Sequence, residues 1–408
     1  MAAPQQPVDA VAQNMANLSV QNNQLSNSSS VANSLREKPP GPIKTPFVDP
    51  LPNAKPLPPK ALTADQQAKY DEVFTKVKTW TEVPAKDELG GPITDEERMW
   101  LTKECMLRYL RATKWNVPAA LKRILDTLTW RREFGLLSHD AEHISPENET
   151  GKQVVLGYDD NGRPCLYLNP GRQNTEPSHR QVEHLAYMLE RVIDLMMPGQ
   201  EGLALLINFK QSKSRSNTSP PFGIAKEVLN ILQTHYPERL GRACVINIPW
   251  VANIFLKMIT PFIDPITREK LHFNEEVSKY VPKEQLWTEL GGDVQFEYDH
   301  SVYWPALTAL CEEMSKERRK RWEMAGKNVG ESEVYLRGGD APSIATGQAS
   351  EAATVDATVA EAVEQIANVP AAAPDAVPSN GGAEVPAPGA PVDESVAAPV
   401  GTENQKAA

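Results

Sequence analysis

Apolar residues recur at helical spacing in three successive segments near the start of the predicted folded region. The first segment follows Thr63, a residue type favoured at helix N-caps, and its pattern predicts a helix that ends before Pro84. A Thr-Asp-Glu-Glu capping box at residues 94–97 predicts a second helix, and Val117 followed by proline begins a third. Residues 63–137 are therefore predicted to form an N-terminal helical module. Its apolar positions are Tyr70, Val73, Phe74, Val77, Trp100, Leu101, Met106, Leu107, Leu110, Ala120, Leu121, Ile124, Leu125, Leu128 and Phe134.

Beyond residue 150 the pattern changes to short apolar runs that are typical of strands. Residues 153–157 and 165–169 alternate around an Asp-Asp-Asn-Gly sequence, which predicts a β-hairpin. Strands that alternate with helices indicate an α/β fold with a mostly parallel sheet and right-handed crossovers. The further predicted strands are 203–208, 244–248 and 270–273, and the further predicted helices are 180–196, 221–232, 284–290 and 304–324.

The segment from residue 250 to residue 262, called the gate segment below, is apolar on nearly all sides of a predicted helix. Lys257 is its only charged residue, Pro261 lies at its end and Pro265 follows it. Such a helix is typical either of a buried core or of an element that contacts lipid, a membrane or another protein. The polar residues that follow it favour an amphiphilic ligand. Its apolar residues are Trp250, Val251, Ile254, Phe255, Met258, Ile259 and Phe262, together with Leu256 off the main face.

Composition separates the two ends of the 408-residue chain from its middle. Residues 1–62 form an arm rich in Pro, Asn, Gln and Ser, and residues 331–408 form a tail rich in Ala and Pro. The tail has 12 acidic residues against Arg337 and Lys406, so most of the net charge of −11 belongs to it. Both ends are predicted to be disordered. The expected domains are the arm 1–62, the helical module 63–137, a lipid-binding domain 150–310, a basic helix 311–328 and the acidic tail 331–408.

Cysteine usage and hydropathy limit the cellular setting. Four cysteines are scattered without metal-ligand spacing, which is typical of reduced core residues in a cytosolic protein. No stretch of about 18 apolar residues occurs and no signal peptide opens the chain, so we expect a cytoplasmic protein whose membrane contact is peripheral. The basic run at 316–321 fits either a solvated helix face or a contact with anionic lipid.

Motifs for enzyme chemistry are missing from the sequence. It contains no G-x-S-x-G elbow, no phosphate-binding P-loop and no G-x-G-x-x-G after a strand. Cys105 and Arg111 match a C-x5-R phosphatase spacing, but the residues between them are helical in pattern. His139 and His143 lie four residues apart, and a hydrogen-bonded or solvated pair is a better interpretation than a zinc site. This pattern favours binding over catalysis, with no catalytic residue, no cofactor, no metal and no nucleic-acid partner.

Four sequence stretches together resemble one known family. They are ECMLRYLRATKWNV with WRREFG in the helical module, NGRPCLY at the hairpin, HYPERLG before the 244–248 strand, and PFIDPITREKLHF after the gate segment. This sequence resembles the CRAL-TRIO domain phosphatidylinositol transfer protein family of fungi over about residues 95–310. The later run YVPKEQL, LGGD and YDHSVYWPAL is most similar to the pleiotropic-drug-resistance branch, whose second ligand is sterol. The resemblance implies a sheet that floors an apolar lipid cavity and the gate segment as a movable helical gate.

The resemblance also implies a headgroup site. Its residues are Glu238, Arg239, Thr267, Lys270 and Lys114. In physical terms Lys270 would neutralise the phosphodiester, Thr267 would donate a hydrogen bond to it, and Glu238 would orient the lysine and accept from inositol hydroxyls. The alternative for Glu238 and Lys270 is an ordinary surface ion pair. The chain departs from the family at Thr113, where other members have an arginine.

A second departure concerns phosphatidylcholine. Members that carry this lipid hold its phosphate with tyrosine and serine hydroxyls, and the matching positions here are Val155, Leu166, Leu203 and Leu232. A phosphate buried without donors is strongly unfavourable, so the cavity is expected to reject phosphatidylcholine and to suit a sterol. The alternative is that these four are ordinary core residues.

Together these expectations predict a non-enzymatic carrier. It would exchange phosphatidylinositol, and sterol as a second ligand, between membranes, and would influence phosphoinositide and sterol homeostasis and azole drug tolerance. It would contact a membrane only transiently, at the endoplasmic reticulum, lipid droplets or the cell periphery. The alternative function is a lipid-sensing regulator that presents phosphatidylinositol to a lipid kinase without bulk transfer.

Overall fold

The computed structural model describes residues 30–36, 41–210, 222–250, 253–254 and 265–346. Its first part is a helical module around one apolar cluster that includes Tyr70, Val73, Leu110 and Ile124. Helix α1 (Ser30–Arg36) precedes the module and packs in a different apolar cluster through Ala32. The helices of the module are α2 (Ala64–Lys78), α3 (Asp95–Trp100), α4 (Lys103–Ala112) and α5 (Val117–Glu133). A two-stranded ribbon, β1 (Glu82–Val83) and β2 (Gly91–Pro92), joins α2 to α3.

Side-chain caps explain where these helices begin. The Thr63 and Thr94 side chains each accept from the backbone N–H of the third helical residue, and the side chain of that residue accepts in turn from the backbone N–H of the threonine, which completes both capping boxes. The second predicted helix is wrong as one element, because the Thr102 side chain accepts from Cys105 N and starts a separate helix there. Asn116 caps α5 in the same way.

The second part is an α/β domain, which confirms the predicted fold class. Its five strands lie in chain order across the sheet; the first pair is antiparallel and the other three pairs are parallel. The strands are β3 (Gln153–Tyr158), β4 (Pro164–Leu168), β5 (Leu203–Asn208), β6 (Leu240–Ile246) and β7 (Leu271–Phe273). The helices of this part are α6 (Ala141–Asn148), α7 (His179–Asp194), α8 (Phe222–His235), α9 (Pro265–Glu269), α10 (His300–Met324) and α11 (Glu333–Leu336).

Strand β6 differs from its prediction at both ends. It begins at Leu240, four residues before the predicted start, because Leu240 and Arg242 pair with β5 although Gly241 and Arg242 interrupt the apolar run. It ends at Ile246 because Asn247 has a φ of 54°, in the left-handed region that does not continue a strand. The predicted helix 284–290 is also wrong, since two short 3-10 turns stand there, at Lys283–Gln285 and Thr288–Leu290.

The ordered part of the protein extends into both predicted tails. Ile43 pairs with the backbone at Gln295 and Glu297, and Val48 O accepts from the Tyr158 hydroxyl at 2.8 Å. The prediction of disorder up to residue 62 and from residue 331 is therefore wrong for 30–36, 41–62 and 331–346, which pack on the rest of the protein. Predicted disorder of 1–29, 37–40 and 347–408 lies outside the described residues.

Two further expectations concern cysteines and membrane spans. All four cysteines are unpaired and buried, as predicted for reduced core residues. Among the described residues, no helix combines the length and the apolar composition needed to cross a bilayer.

Candidate functional site

The amino ends of β6 and β7 bring most of the predicted headgroup residues together. Glu238 and Arg239 directly precede β6, and Thr267 and Lys270 precede β7. The Lys270 ammonium donates to Leu240 O at 2.7 Å, two residues after Glu238. Lys270 N donates to Thr267 O at 3.1 Å, which closes a turn. Parallel neighbouring strands thus place these predicted residues at one edge of the sheet. Their contact with a lipid headgroup stays a prediction.

Glu238 faces the helical module. Its φ is 61°, in the left-handed region, and its carboxylate lies 3.9 Å from Arg111 Nε at the end of α4. Both side chains are about one-third exposed, so a polar ligand can reach them. From the sequence, Arg111 belongs to the basic residues of the helical module and to a false phosphatase spacing, and it is not among the predicted headgroup residues.

Behind this edge lies a charge network that connects distant parts of the chain. Glu201 accepts from Arg111 at 2.9 Å and from Arg108 at 2.8 Å. Arg108 is buried, and its other nitrogen donates to Glu333 at 2.5 Å. Arg239 approaches the same Glu333 oxygen, at 3.9 Å. No local sequence pattern marks Glu333, because composition places it in the acidic tail.

The network fixes the ionisation of its members. Burial alone would raise the pKa of Glu333, but the nearby guanidinium groups of Arg108, Arg239 and Arg337 lower it far below its ordinary value. Burial, and then repulsion from Arg108, lower the pKa of Arg239. Arg239 also donates to Glu201 O at 2.9 Å and is only 9% exposed. Its side chain therefore supports the site from below and is not openly presented.

The end of α4 shows how the Thr113 departure is accommodated. The Thr113 hydroxyl donates to Tyr109 O at 2.9 Å, so it caps its own helix. Lys114 follows with a φ of 53°, and its N–H donates to Arg111 O at 3.0 Å. Its side chain is exposed. Its role there stays a prediction.

One face of the sheet is apolar and carries three of the four predicted lining residues. Val155 is opposite Leu166, which is opposite Leu205, and Leu203 lies two residues before Leu205 on the same strand. Alternation places them all on one face, called the apolar face below. Its described apolar members are Val155, Leu166, Leu168, Leu203, Leu205, Ile207, Ala243, Val245, Leu271 and Phe273, and Gln153 opposite Leu168 is a polar residue on the same face.

The lining residues are packed by protein in this structure. Val155, Leu166 and Leu203 are at most 3% exposed and belong to the main apolar cluster, while Leu232 on α8 is partly buried against it. Leu205 and Ile207 on the same face are less covered. The opposite face is closed by the 277–296 segment, where Trp287 N donates to the Tyr167 hydroxyl. Contact between the lining residues and lipid stays a prediction.

The gate segment leaves the carboxyl end of β6, opposite to the headgroup edge. Asn253 N donates to Pro249 O at 3.0 Å, which begins a helical turn. Trp250 is 75% exposed and Ile254 is 58% exposed, and Phe273 at the end of β7 is 43% exposed. The other predicted gate residues lie outside the described residues. They are Val251, Phe255, Met258, Ile259 and Phe262.

Comparison with known families and proteins assigns this architecture. The CRAL/TRIO domain model matches residues 148–292, and the model of the CRAL/TRIO N-terminal domain matches residues 69–126. A protein of Saccharomyces cerevisiae named phosphatidylinositol transfer protein PDR17 is 43% identical over 258 residues, which are 60% of this chain and 73% of that protein. The chain belongs to the CRAL-TRIO family. The two matches coincide with the helical module and the sheet domain.

Other CRAL-TRIO relatives differ in how much of their length is shared. A CRAL-TRIO domain-containing protein of Schizosaccharomyces pombe is 55% identical over 281 residues, or 68% of this chain, but this region is only 28% of that protein. The SEC14 cytosolic factor of Yarrowia lipolytica is 28% identical over 46% of this chain and 42% of that protein. The crystal structure of Sfh5 aligns with 63% of this chain and all of that chain at a TM-score of 0.42 and 17% identity.

Other features of the sequence have structural roles in this CRAL-TRIO protein. Cys105 lies inside α4, and burial raises the pKa of its thiol to about 11, so the C-x5-R spacing does not form a phosphatase loop. His143 lies 2.8 Å from Glu183, and His139 lies 3.8 Å from the same carboxylate. These contacts fit the predicted hydrogen-bonded pair.

The basic run at the end of α10 is largely neutralised by neighbouring acids. Arg318 bonds Asp194, Arg319 bonds Glu96, and Lys316 pairs with Glu312 at 2.7 Å. Arg321 is buried and donates to Leu336 O. These contacts agree better with a structural role than with a surface held for anionic lipid.

Proposed function

We propose that this chain is a phosphatidylinositol transfer protein that carries one lipid at a time between membranes. The observation that supports it most is the edge where Glu238, Arg239 and Lys270 meet, next to an apolar sheet face. Membership of the CRAL-TRIO family and 43% identity to a phosphatidylinositol transfer protein support the same ligand class. The headgroup would bind at the amino ends of β6 and β7, and the acyl chains would follow the apolar face towards the gate segment.

The two ends of β6 give this proposal a physical layout. The strand runs from the headgroup edge to the gate, and its seven residues span roughly 20 Å. A two-chain lipid has on the order of 30 methylenes at ~0.8 kcal/mol each, so its passage through water is prohibitive. A carrier therefore needs an apolar shelter that opens at a membrane. Exposed Trp250 and Ile254 at the gate suit contact with such a surface.

The same layout supports ligand choice and location. Leu and Val at 155, 166, 203 and 232 would leave a phosphocholine group without donors, so phosphatidylcholine is rejected and a sterol is the second ligand. Exchange of the two lipids would influence phosphoinositide and sterol homeostasis and azole drug tolerance. The protein would act without catalysis, in the cytoplasm, with transient contact at membranes.

Replacing the headgroup pair tests the proposal. Glu238→Ala with Lys270→Ala is expected to abolish phosphatidylinositol transfer between vesicles while sterol binding persists, because the phosphodiester loses its counter-charge. The matched control is Lys44→Ala with Glu297→Ala, which removes the same residue types from a surface pair at 3.6 Å. Full transfer by the headgroup double variant, or equal loss in the control, would contradict the assignment.

A second candidate is a regulator that presents phosphatidylinositol to a lipid kinase without bulk transfer. The acidic sequence beyond residue 346 favours it, because a carrier has no evident need for such a segment. Vesicle transfer separates the two: a carrier moves phosphatidylinositol in the absence of a kinase, and a presenting regulator stimulates the kinase but leaves the acceptor vesicles empty. Chemical change of a bound lipid would instead indicate an enzyme.

A further inference from the structure

The apolar face contains one buried polar pair. Gln153 stands opposite Leu168 at the start of β3, and His184 of α7 lies against it. The Gln153 Nε2 to His184 Nδ1 distance is 3.3 Å. Gln153 is 9% exposed and His184 is fully buried. The other described members of this face are apolar, so the pair interrupts an otherwise uniform surface.

Each side chain of the pair keeps one polar atom without a partner. Gln153 Oε1 and His184 Nε2 make no hydrogen bond with any of the described residues. The neighbouring Asn148 accepts from Gln153 N at 3.1 Å through its oxygen, and its Nδ2 is also unpartnered. Most buried polar atoms in proteins are paired, so three unpaired atoms at one place indicate a ligand site.

The chemistry of the two unpaired atoms specifies what fits. Burial, with a smaller effect of Lys152, lowers the pKa of His184 well below its ordinary value, so its ring is neutral and has one donor and one acceptor nitrogen. If the Gln153 amide donates to Nδ1, then His184 Nε2 is a free donor and Gln153 Oε1 a free acceptor. If the amide is turned over, the two roles exchange. In both arrangements one donor and one acceptor remain, which is the complement of a single hydroxyl group.

An apolar row leads from this pair across the sheet to Phe273 at the carboxyl end of β7. Gln153, Leu168, Ile207, Val245 and Phe273 are consecutive partners across the five strands and share the apolar face. Four steps between strands make a row of roughly 19 Å. Exposure is 9% at Gln153 and 43% at Phe273. A long, rigid apolar body can lie along this row with its polar end at the pair.

We propose that Gln153 and His184 bind the single hydroxyl of an otherwise apolar ligand whose body lies along this row. The inference rests on the proposed function, because it takes the apolar face as the lipid-binding surface, and it locates the second ligand there. Sterols and long-chain alcohols share this chemistry. A phosphate does not, because it needs several donors and a counter-charge.

A series of ligands tests the proposal on the unaltered full-length protein. Displacement of fluorescent dehydroergosterol is measured with cholesterol, with its 3-keto and 3-deoxy analogues, and with 1-hexadecanol. Cholesterol is expected to bind about tenfold more tightly than the ketone and more tightly still than the deoxy compound, because each loses hydrogen bonds at buried partners. Stronger displacement by hexadecanol than by cholesterol assigns the site to linear alcohols. Equal binding of all three sterols overturns the proposal.

A variant series identifies the pair itself. Gln153→Met with His184→Phe removes both polar partners of the hydroxyl. In this double variant the affinities for cholesterol and for its 3-keto analogue are expected to differ by no more than about twofold. The matched control is His272→Phe, on the opposite face of the sheet, which should keep the full preference. Unchanged preference in the double variant overturns the proposal, as does a sterol-bound crystal structure that shows only an ordered water at the pair.

Phosphatidylinositol transfer, measured in parallel, separates this inference from the proposed function. If the protein transfers phosphatidylinositol and the sterol series shows no preference, only the hydroxyl site fails. If it transfers no phosphatidylinositol and extracts no lipid, the proposed function fails as well.

Discussion

The arginines around Glu333 keep its carboxylate ionised although it is buried. Its pKa lies far below the ordinary value of 4.5 because Arg108, Arg239 and Arg337 outweigh the effect of burial. A carboxylate with a depressed folded pKa stabilises the protein above its unfolded pKa, and this contribution is lost as pH falls. Glu333 is thus a source of stability at neutral pH and a weakness in acid.

Substitution of Glu333 should reveal this pH dependence. Glu333→Gln is expected to lower the free energy of unfolding at pH 7, and the gap to the wild type should shrink as pH falls below about 4.5. Urea denaturation at pH 7 and at pH 4 measures it. A gap that stays constant or widens in acid would show that the carboxylate does not act through its charge.

The predicted lining residues provide a second test at single positions. Leu203→Ser with Leu232→Ser is expected to restore some phosphatidylcholine uptake, because the two hydroxyls can donate to the lipid phosphate. The control is Leu203→Ala with Leu232→Ala, which creates similar space without donors. Lipid extraction and mass spectrometry compare the two. If both variants fold and neither takes up phosphatidylcholine, the two leucines are core residues that do not select the lipid.

The segment around α11 acts as a clasp on the helical module. Glu333 lies near Arg108 and Arg239, its N–H donates to Glu104 at 2.7 Å, and Tyr335 and Leu336 are buried beside Trp322. Sequence composition placed this segment in a disordered tail, because its few apolar residues precede a long low-complexity stretch. The structure of this segment depends on its contacts with residues that are distant in the sequence, and composition does not reveal such contacts.

Two truncations separate the clasp from the rest of the tail. A chain that ends after residue 346 is expected to keep the wild-type free energy of unfolding. A chain that ends after residue 330 should lose several kcal/mol, because Arg108 is left as a buried charge without Glu333. Thermal and urea unfolding measure both. Equal stability of the two chains would mean that the clasp adds nothing.

Local signals explain which elements the sequence could predict. Thr63 and Thr94 sit at helix starts with partners three residues away, and Val117 followed by proline begins α5, so the starts of α2, α3 and α5 could be predicted. The break at Thr102 was not, because the apolar pattern continues through it. Helix α6 was missed since Pro146 lies inside it and its surroundings are polar. The hairpin and strand β5 followed directly from alternation and turn chemistry.

At the scale of the molecule, the candidate site is split between two ends of one strand. The sequence predicted both ends, because HYPERLG and the gate segment flank β6. It could not predict Arg111, Glu201 or Glu333, which approach from distant segments. Ion pairs between residues far apart in the chain leave no periodic pattern to detect.

Membrane contact through the gate can be tested on the whole protein. Trp250→Ala with Ile254→Ala is expected to reduce binding to phosphatidylinositol-containing vesicles and the transfer rate by about tenfold, because two exposed apolar side chains no longer enter the bilayer. The control is Leu57→Ala with Leu137→Ala, two leucines that are 64% and 65% exposed elsewhere. Equal loss in both variants would show that exposed apolar area acts without regard to position.

The Arg108–Glu333 pair also constrains how the protein is made. The two residues are 225 positions apart, so the helical module emerges from the ribosome long before its buried guanidinium can meet this carboxylate. During synthesis Arg108 can meet Glu201, 93 positions on, well before Glu333, so its second ion pair must wait for almost the whole lipid-binding domain. The helical module therefore completes its folding only near the end of synthesis of the chain.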